Sequence, residues 1–344
     1  MVVVAGAGMA GLVAAARLRE LGRPVRLLEK GDRAGGSMLL SSGVVWRHRS
    51  LDGFREDCPG GDPVLQQLIV ERLDDALDWL ERAAAPATER ETGNPRTVGR
   101  RFDPRRLTEA LAHDVSLSEP LTELPDGPVV LATGGFAARL AQERGLPLRA
   151  APWSEGDGIR LAQARGAALT NGMDEFYGRA MPAPPARFAE RDFVRAAQLY
   201  GRFADVLDDR RRPAFQGTPT WSENDLVQAI AKQPRGTAWY WVDRAALTER
   251  VRERTVREMI EVAKDLGGEI RDDDRIGVKV VAAVTHTLGG LRVDEQARVL
   301  DAEGDPIDGL YAAGVDAGGI ATGGYASGLA TALVLGLAAA ESIA

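Results

Sequence analysis

The chain has few of the residues that build metal centres and disulfides. It contains 344 residues, of which one is cysteine (Cys58) and three are histidines. A single cysteine cannot form an internal disulfide, and so few histidines argue against a His/Cys metal cluster. We therefore predict no metal site. The chain also lacks a positive charge excess: its formal net charge is −7, which argues against a nucleic-acid partner because phosphate binding needs a positive field.

Long apolar runs are equally scarce. Met1 begins directly on a short apolar segment, with no basic region before it, so we expect no secretory signal. The tail from 326 to 344 is apolar but is interrupted by Ser327, Thr331 and Glu341. Its longest apolar stretch is shorter than the about 20 residues that a membrane span needs, so we predict a buried helix there. We expect a cytoplasmic protein.

What the chain does have is glycine at both ends. Val2, Val3 and Val4 predict a strand buried on both faces. A glycine-rich segment follows it, and its positions 6 to 11 read Gly6, Ala7, Gly8, Met9, Ala10, Gly11. This G-x-G-x-x-G spacing is typical of a turn that holds a dinucleotide pyrophosphate at the start of a helix. We predict that helix from Leu12 to Leu21.

A second predicted strand, Val25 to Glu29, follows that helix. It places the carboxylate of Glu29 where it can accept hydrogen bonds from the ribose hydroxyls of a bound nucleotide. A strand, a glycine turn, a helix and a strand that ends in Glu together predict a Rossmann-like α/β domain with a parallel sheet. These residues alone leave both NAD and FAD open as the cofactor.

The segment after Glu29 carries a family resemblance. Its order is Glu29-Lys30, then Gly35-Gly36-Ser37, then Ser41-Ser42-Gly43. This order resembles the fumarate reductase, succinate dehydrogenase and 3-ketosteroid dehydrogenase group of FAD enzymes. The resemblance implies FAD as the cofactor, and it implies that the loop runs beside the pyrophosphate and the flavin. No histidine lies in an obvious attachment position, so we expect the FAD to be bound non-covalently. A flexible polar loop is the alternative explanation of so much Gly and Ser. The cofactor contacts implied in this segment are Lys30, Gly36, Ser37, Ser41, Ser42 and Gly43.

The middle of the chain extends the resemblance. A predicted strand from Pro128 ends in Ala132-Thr133-Gly134-Gly135-Phe136, which is similar to the Ala-Thr-Gly-Gly-Phe motif of the group. The resemblance also implies contact of Val115 with adenine and of Asp157 with the flavin side. Asp157 as the N-cap of a helix from Gly158 to Arg165 is the alternative. We also predict a helix from Pro63 to Arg82 from its apolar spacing.

From Met173 the composition changes, because arginine, aromatic residues and proline become frequent. We predict an inserted cap domain at 173–274, between two parts of an FAD-binding domain at 1–172 and 275–344. The cap is short compared with the group. The elements that we predict in it are a strand at Trp239–Val242 and helices at Arg195–Leu207, Asp225–Lys232 and Ala245–Leu266.

The C-terminal segment completes the predicted cofactor site. The last strand ends at Gly314, where the resemblance implies a loop along the ribityl chain. The group has Glu directly after this glycine, but here Val315 follows, so Asp316 would supply a displaced carboxylate. The final helix would begin after Ser327 and direct the amides of Gly328 and Leu329 at the flavin, where they would stabilise the negative charge of its reduced form.

The resemblance implies hydride transfer between flavin N5 and a carbon next to a carbonyl or a carboxylate. The arginine that fumarate-type members carry near the C-terminus is missing, whereas Tyr325 with Gly328 matches the ketone-binding pattern of ketosteroid-type members. We expect Tyr325 to polarise a carbonyl and Tyr177, or else His286, to carry the proton. Each of the three could instead be a structural residue with a satisfied polar group.

Three functions stay open on the sequence alone. They are ketone desaturation or its reverse, reduction of an unsaturated acid, and a non-catalytic FAD-binding or electron-transfer subunit. For the acid, Arg179, Arg187 and Arg202 of the cap would bind the carboxylate. The partners expected are a small ketone or acid substrate and an electron donor or acceptor that the sequence does not identify.

Overall fold

The computed structural model describes residues 1–344, and close packing divides them into two units. Unit 1 contains residues 1–139, 150–175 and 286–344, and unit 2 contains residues 140–149 and 176–285. Residues 140–149 and 275–285 thus fall in unit 2, whereas the boundaries predicted from the sequence give them to the FAD-binding domain. Those boundaries stay a prediction.

Unit 1 opens with an alternation of strands and helices. Its elements up to residue 163 are β1 (Val2–Ala5), α1 (Met9–Glu20), β2 (Val25–Leu28), β3 (Val44–His48), α2 (Leu51–Asp57), α3 (Pro63–Ala83), β4 (Thr97–Arg101), α4 (Pro104–Leu111), β5 (Val115–Ser116), β6 (Val129–Leu131), α5 (Ala137–Arg144) and α6 (Asp157–Gln163). Helix α5 begins in unit 1 and ends in unit 2.

Unit 2 and the return to unit 1 follow. The elements are β7 (Phe176–Pro182), β8 (Ala204–Leu207), α7 (Asn224–Ala231), β9 (Thr237–Val242), β10 (Arg250–Val251), β11 (Arg254–Thr255), α8 (Val256–Asp265), β12 (Ile270–Asp272), β13 (Ile276–Thr287), β14 (Arg298–Leu300), β15 (Pro306–Ala312) and α9 (Gly328–Ile343). The last two residues of β13 belong to unit 1.

The main sheet of unit 1 confirms the predicted fold class. Its strand order is β14-β15-β6-β1-β2-β5, and every neighbouring pair is parallel except β14 with β15. The valines of β1 are buried, as a strand in the middle of a parallel sheet requires. Because β1 is central, the turn that follows it lies between the ends of β2 and β6. This is where such sheets bind nucleotides.

The first and last helices of the chain pack against each other. Added at Gly336 of α9, a Cβ atom would lie 2.8 Å from the carbonyl oxygen of Ala10 in α1, so only a glycine permits this approach. The guanidinium of Arg17 reaches Glu341 at 3.2 Å. Helix α9 is buried from Ala330 to Ala340, as predicted for a core helix. No helix of the chain is both long and apolar enough to cross a membrane.

Two cap helices predicted from the sequence are wrong. Residues 195–207 form a short 3-10 turn and then β8, because Ala204–Leu207 pair with β9 in the sheet β12-β13-β9-β8. Residues 245–266 are not one helix, since Arg252 has a positive φ of 55° in the hairpin β10–β11. Within this segment only α8 is an α-helix, and a capping box between Thr255 and Glu258 forms its N-terminus.

Other local predictions agree with the structure. Helix α3 begins at Pro63 behind the N-cap Asp62, and its apolar face is buried. Helix α7 and strand β9 cover the predicted 225–232 and 239–242 segments to within two residues at each end. Asp157 is not an N-cap, because it is already the first helical residue of α6 behind Gly156, which has a φ of +90°.

Candidate functional site

The three glycines of the N-terminal turn have three different surroundings. A Cβ added to Gly6 would lie 2.1 Å from the carbonyl oxygen of Ala132, and one added to Gly11 would lie 1.8 Å from that of Gly6. A Cβ added to Gly8 would meet nothing within 4 Å. Gly6 and Gly11 are thus required by packing, whereas Gly8 keeps its outer face open. This is the arrangement that a pyrophosphate needs to approach the backbone, so the turn fits a dinucleotide.

Glu29 is held in place by the same turn. One carboxylate oxygen accepts the backbone N–H of Ala7 and the other accepts that of Gly31, both at 2.7 Å. The side chain is 8% exposed. Because each carboxylate oxygen has two acceptor positions, Glu29 retains capacity for ribose hydroxyls while its orientation is fixed.

The loop after β2 lies against the glycine turn. The backbone N–H of Gly35 donates to the carbonyl of Ala7 at 2.7 Å, and a Cβ on Gly36 would be 3.2 Å from the Cα of Gly8. The hydroxyl of Ser37 accepts the N–H of Ala151, and that of Ser41 accepts the N–H of Gly43. Defined hydrogen bonds therefore hold this loop beside the open face of Gly8.

A network of charges fixes Lys30. Its ammonium contacts Asp157 at 2.8 Å and also pairs with Glu155. Burial alone would lower the pKa of Lys30, but the hydrogen bonds to Asp157 and Glu155 raise it. Asp157 is also 3.1 Å from Arg160; burial opposes the change, but the bonds to Lys30 and Arg160 lower its pKa. Asp157 is thus ionised and forms an ion pair with Lys30. Its contact with the flavin stays a prediction.

The end of β6 meets the loop after β15 through one buried carboxylate. Asp316 is fully buried and accepts hydrogen bonds from the backbone N–H of Thr133, the hydroxyl of Thr133 and the backbone N–H of Gly135. Burial raises the pKa of Asp316, although these hydrogen bonds oppose the change. The carboxylate that the resemblance assigned to the cofactor thus accepts its hydrogen bonds from the loop after β6 of its own chain. Its role toward the cofactor stays a prediction.

The start of α9 presents free backbone donors. The hydroxyl of Ser327 accepts the N–H of Ala330, which leaves the N–H groups of Gly328 and Leu329 without partners. Both residues are partly exposed. The two amides and the positive end of the helix dipole form a position that stabilises negative charge.

Gly314 connects this helix to the N-terminal turn. It has a φ of +67°, and a Cβ there would be 3.0 Å from that of Ala10 and 3.7 Å from that of Ala332. The ring of His286 lies beside Gly328, since a Cβ on Gly328 would be 3.2 Å from its Cε1. The predicted convergence of the two glycine-rich segments is therefore present in unit 1.

A small cavity lies at the same place. It has no Asp, Glu, Lys or Arg in its wall. The lining residues are His286, Thr287, Leu288, Gly314, Val315, Ala317, Ile320, Ala321, Ala326, Gly328 and Thr331. Within unit 1 the wall of this cavity therefore includes Gly328 with its unpartnered N–H, an imidazole and hydroxyl-bearing side chains, but no Asp, Glu, Lys or Arg.

The two candidate tyrosines lie in different units. Tyr325 is partly exposed in unit 1 and meets the ring of Trp46 edge-on, with centroids 5.3 Å apart. Tyr177 is buried on β7 in unit 2, under the guanidinium of Arg179, whose Cζ is 5.0 Å from the ring centroid. Sequence analysis did not identify Trp46, because its contact with Tyr325 joins distant segments.

The remaining predicted contacts are distributed over these same elements. Val115 is half-buried on β5, where it pairs with Leu27 of β2, and Gly134 has a φ of +90° at the end of β6. Ser42 is exposed next to Gly43, where a side chain would clash with the carbonyl of Phe102. No group of three or more His, Cys, Asp or Glu side chains could hold a metal ion.

Known proteins share this architecture. A fumarate reductase of Schizosaccharomyces pombe is 25% identical over 430 residues, which cover 92% of this chain and 84% of the relative. A fumarate reductase (cytochrome) of Shewanella frigidimarina is 24% identical over 416 residues, covering 93% and 72% respectively. Both alignments are longer than this chain, so the relatives contain segments that it lacks.

A solved structure agrees in fold. It is the 3-ketosteroid-Δ4-(5α)-dehydrogenase of Rhodococcus jostii RHA1 in complex with 4-androstene-3,17-dione, which matches with a TM-score of 0.73 at 19% identity and covers 99% of this chain and 96% of its own. The family model described as FAD binding domain matches residues 1–128 and 124–330. The chain therefore belongs to the FAD binding domain family, which confirms both the resemblance and the FAD cofactor that it implies.

Proposed function

We propose that the protein is an FAD-dependent oxidoreductase that adds or removes hydrogen across a carbon–carbon bond next to a ketone. One observation carries this choice of substrate class. The wall of the cavity at the start of α9 includes Gly328 with its unpartnered N–H, an imidazole and hydroxyl-bearing side chains, and it has no Asp, Glu, Lys or Arg. A neutral carbonyl oxygen suits such a surface, whereas a carboxylate desolvated against it without a cation would be costly.

FAD, when bound, supplies hydride exchange at its N5 atom. The chain's own residues supply the rest. The open face of Gly8 and the fixed carboxylate of Glu29 would hold the pyrophosphate and the ribose. The unpartnered N–H groups of Gly328 and Leu329, at the start of α9, would stabilise the negative charge of the reduced flavin.

The substrate needs one polarising group and one proton carrier. Tyr325 is our candidate for the first, since its partly exposed hydroxyl-bearing ring is fixed by Trp46. It would donate a hydrogen bond to the ketone oxygen, which makes the adjacent C–H more acidic. In desaturation, Tyr177 or else His286 would take the proton from that carbon, while a hydride leaves the neighbouring carbon. In reduction, the hydride and the proton are added to the same two carbons.

Reduction of an unsaturated carboxylate is the second candidate. The observation that favours it is the set of relatives described as fumarate reductases. Of the cap arginines that such a substrate would require, Arg179 is buried, whereas Arg187 and Arg202 are exposed. Arg179 also donates to the carbonyl of Ser222, so one of its N–H groups is already used.

The test is a substrate panel on the purified protein containing FAD. The flavin is reduced anaerobically by light, and its reoxidation is followed after addition of cyclic 2-enones of graded size or of 2-enoates such as fumarate and acrylate. We expect rapid return of the oxidised flavin spectrum with an enone. Reoxidation by enoates only would replace the proposal with the second candidate. Flavin that reacts with neither class would instead indicate an electron-transfer subunit.

We propose a cytoplasmic location and an electron partner that delivers or removes the two electrons of each cycle. The support for the location is the single thiol of Cys58. It is buried, and burial raises its pKa to about 12, so it suits a reducing compartment in which no disulfide forms.

A further inference from the structure

A cluster of polar side chains is buried inside unit 2. The rings of Tyr200 and Tyr240 meet edge-on with centroids 5.5 Å apart, and neither hydroxyl has a hydrogen-bond partner. Beside them lies Glu223, which is 6% exposed and accepts the backbone N–H of Arg202 at 3.3 Å. A Cβ added to Gly201 would lie 3.3 Å from both the Glu223 carboxylate and the Tyr240 hydroxyl. The carboxyl group and the two phenols therefore share one buried space.

Arg179 connects this space to Tyr177. The two residues are two apart on β7 and so project to the same face of the strand. The guanidinium Cζ lies 5.0 Å from the centroid of the Tyr177 ring, a cation–π distance. One N–H group of Arg179 donates to the carbonyl of Ser222 at 2.6 Å, directly before Glu223 in the chain. Arg179 thus contacts the candidate proton carrier and is anchored next to the buried carboxyl group.

The charges around Glu223 come from several elements. Burial raises its pKa to about 7, although the charges of Arg179 and Arg202 and the backbone N–H groups at 201 and 202 oppose the change. Asp225 at the start of α7 acts on Tyr240, and Arg254 of β11 repels Arg179. Arg179 is therefore a principal partner of the Glu223 charge. The charge on Glu223 in turn changes near neutral pH.

We propose that Arg179 and Glu223 are positioning residues for Tyr177: the guanidinium holds the phenol ring, and the charge on Glu223 sets how readily the Tyr177 hydroxyl gives up its proton. When Glu223 is ionised it offsets the positive charge of Arg179. When Glu223 is protonated, that charge acts on Tyr177 without compensation and favours the phenolate. The importance of this coupling for turnover rests on the proposed function, but the coupling itself does not.

The experiment measures Tyr177 directly, in the full chain without substrate. The protein is labelled with [13Cζ]tyrosine, and each of the five tyrosine signals is titrated by NMR. Tyr177→Phe identifies the signal. In Glu223→Gln, which mimics the protonated carboxyl, we expect the Tyr177 midpoint to fall by about one pH unit, and in Arg179→Gln to rise by about one unit or more.

A double variant shows whether Glu223 acts through Arg179. We expect Arg179→Gln/Glu223→Gln to match Arg179→Gln alone, because without the guanidinium the charge on Glu223 has no intermediary. Arg187→Gln, at an exposed arginine of the same unit, is the matched control and should leave the midpoint unchanged. If Arg179→Gln does not fold, Arg179→Lys keeps the charge but not the planar stacking, and Glu223→Gln alone still decides the proposal.

A Tyr177 midpoint that is the same in the wild type and in Glu223→Gln would overturn the inference. The pH dependence of kcat with an active enone then separates it from the proposed function. A kcat profile that moves with the NMR midpoint supports both. An NMR shift with an unmoved kcat profile supports the coupling and overturns Tyr177 as the proton carrier of the proposed reaction.

Discussion

The two units bury carboxyl groups in different ways. In unit 1, Glu29 and Asp316 each accept backbone N–H groups from glycine-containing loops. In unit 2, Glu223 is buried beside two tyrosine hydroxyls that have no partners, and its pKa is raised to about 7. The carboxylates of unit 1 hold loops in fixed positions. The carboxyl group of unit 2 is instead set to change its charge within the ordinary pH range.

This difference indicates that the chain uses buried carboxyl groups for two purposes, one in the cofactor site and one in handling protons. A cofactor site must exist before its ligand binds, so its buried polar groups are satisfied by the chain itself. A site that handles protons needs groups whose protonation state is close to balance. The substitutions below test whether this division is real, beginning with the largest expected effect.

The sharpest comparison within unit 1 is between two glycines of the same turn. Gly11→Ala puts a methyl group 1.8 Å from the carbonyl oxygen of Gly6, so we expect the free energy of unfolding to fall by about 3 kcal/mol or more. Gly8→Ala meets no protein atom within 4 Å and has an ordinary extended backbone. We expect it to keep the stability of the FAD-free protein but to weaken FAD binding by roughly 100-fold, or about 2.7 kcal/mol.

Urea unfolding of the FAD-free protein and fluorescence titration with FAD measure the two effects. Equal FAD affinity in Gly8→Ala and the wild type would contradict a cofactor passing over the open face of that residue.

Unit 2 should show a pH-dependent stability that Glu223→Gln removes. The pKa of Glu223 is raised from 4.5 to about 7, so between those values the folded protein binds more protons than the unfolded chain. The free energy of unfolding should therefore fall as pH rises through this window. At 1.36 kcal/mol per pKa unit the loss is on the order of 3 kcal/mol. Urea unfolding at pH 5 and pH 8 measures it.

The matched control is Glu261→Gln, which removes an exposed carboxylate of the same unit. It should leave the pH dependence as it is in the wild type. An identical pH dependence in Glu223→Gln and in the wild type would remove the contrast between the units.

Asp316 tests the loop-holding role in unit 1. In Asp316→Asn the amide group keeps the shape of the carboxyl, but its N–H₂ replaces one of the two accepting oxygens. The backbone N–H of either Thr133 or Gly135 therefore loses its acceptor. We expect a loss of about 2 kcal/mol in the free energy of unfolding and about tenfold weaker FAD binding. Asp308→Asn, at an exposed position of β15, is the control. Unchanged stability of Asp316→Asn would mean that its hydrogen bonds do not organise the two loops.

The smallest expected effect concerns the proposed chemistry. Tyr325→Phe removes one hydroxyl, so bound FAD should persist while turnover of an active ketone falls by at least roughly tenfold, the effect of one lost transition-state hydrogen bond. Tyr311→Phe, on β15 of the same unit, should turn over normally. Wild-type turnover in Tyr325→Phe would exclude it from the mechanism.

The nucleotide-binding half could be predicted from the sequence because its chemistry is local. The strand, the glycine turn, α1, β2 and Glu29 follow each other within 30 residues, and each position has a steric or hydrogen-bonding reason. Helix α3 was predictable for the same reason, since Asp62 caps it and Pro63 occupies its first turn. Caps and turns depend on residues that are adjacent in the chain, so the local sequence is enough to predict them.

The cap could not be predicted to the same degree because its structure depends on distant partners. Residues 204–207 lie in the segment predicted as a helix but form β8, because β9 provides an edge to pair with. The cluster around Glu223 joins β7, β9, the 3-10 turn at 201–203 and the start of α7. Burial by four separate segments raises the pKa of Glu223, and no local pattern records that. The capping box of Thr255 and Glu258, in contrast, was a local signal that sequence analysis missed.

The packing of α1 against α9 has a consequence for biosynthesis. Helix α1 is synthesised before every other helix described here, whereas α9, which covers its apolar face, is synthesised after all of them. The nascent chain must therefore leave the ribosome with that face exposed, and the nucleotide turn beside it cannot reach its final rigidity until the last helix docks. Contacts so far apart in the chain slow folding and lengthen exposure to aggregation. A requirement for chaperone assistance during expression, relieved by added FAD, is the expected cellular consequence.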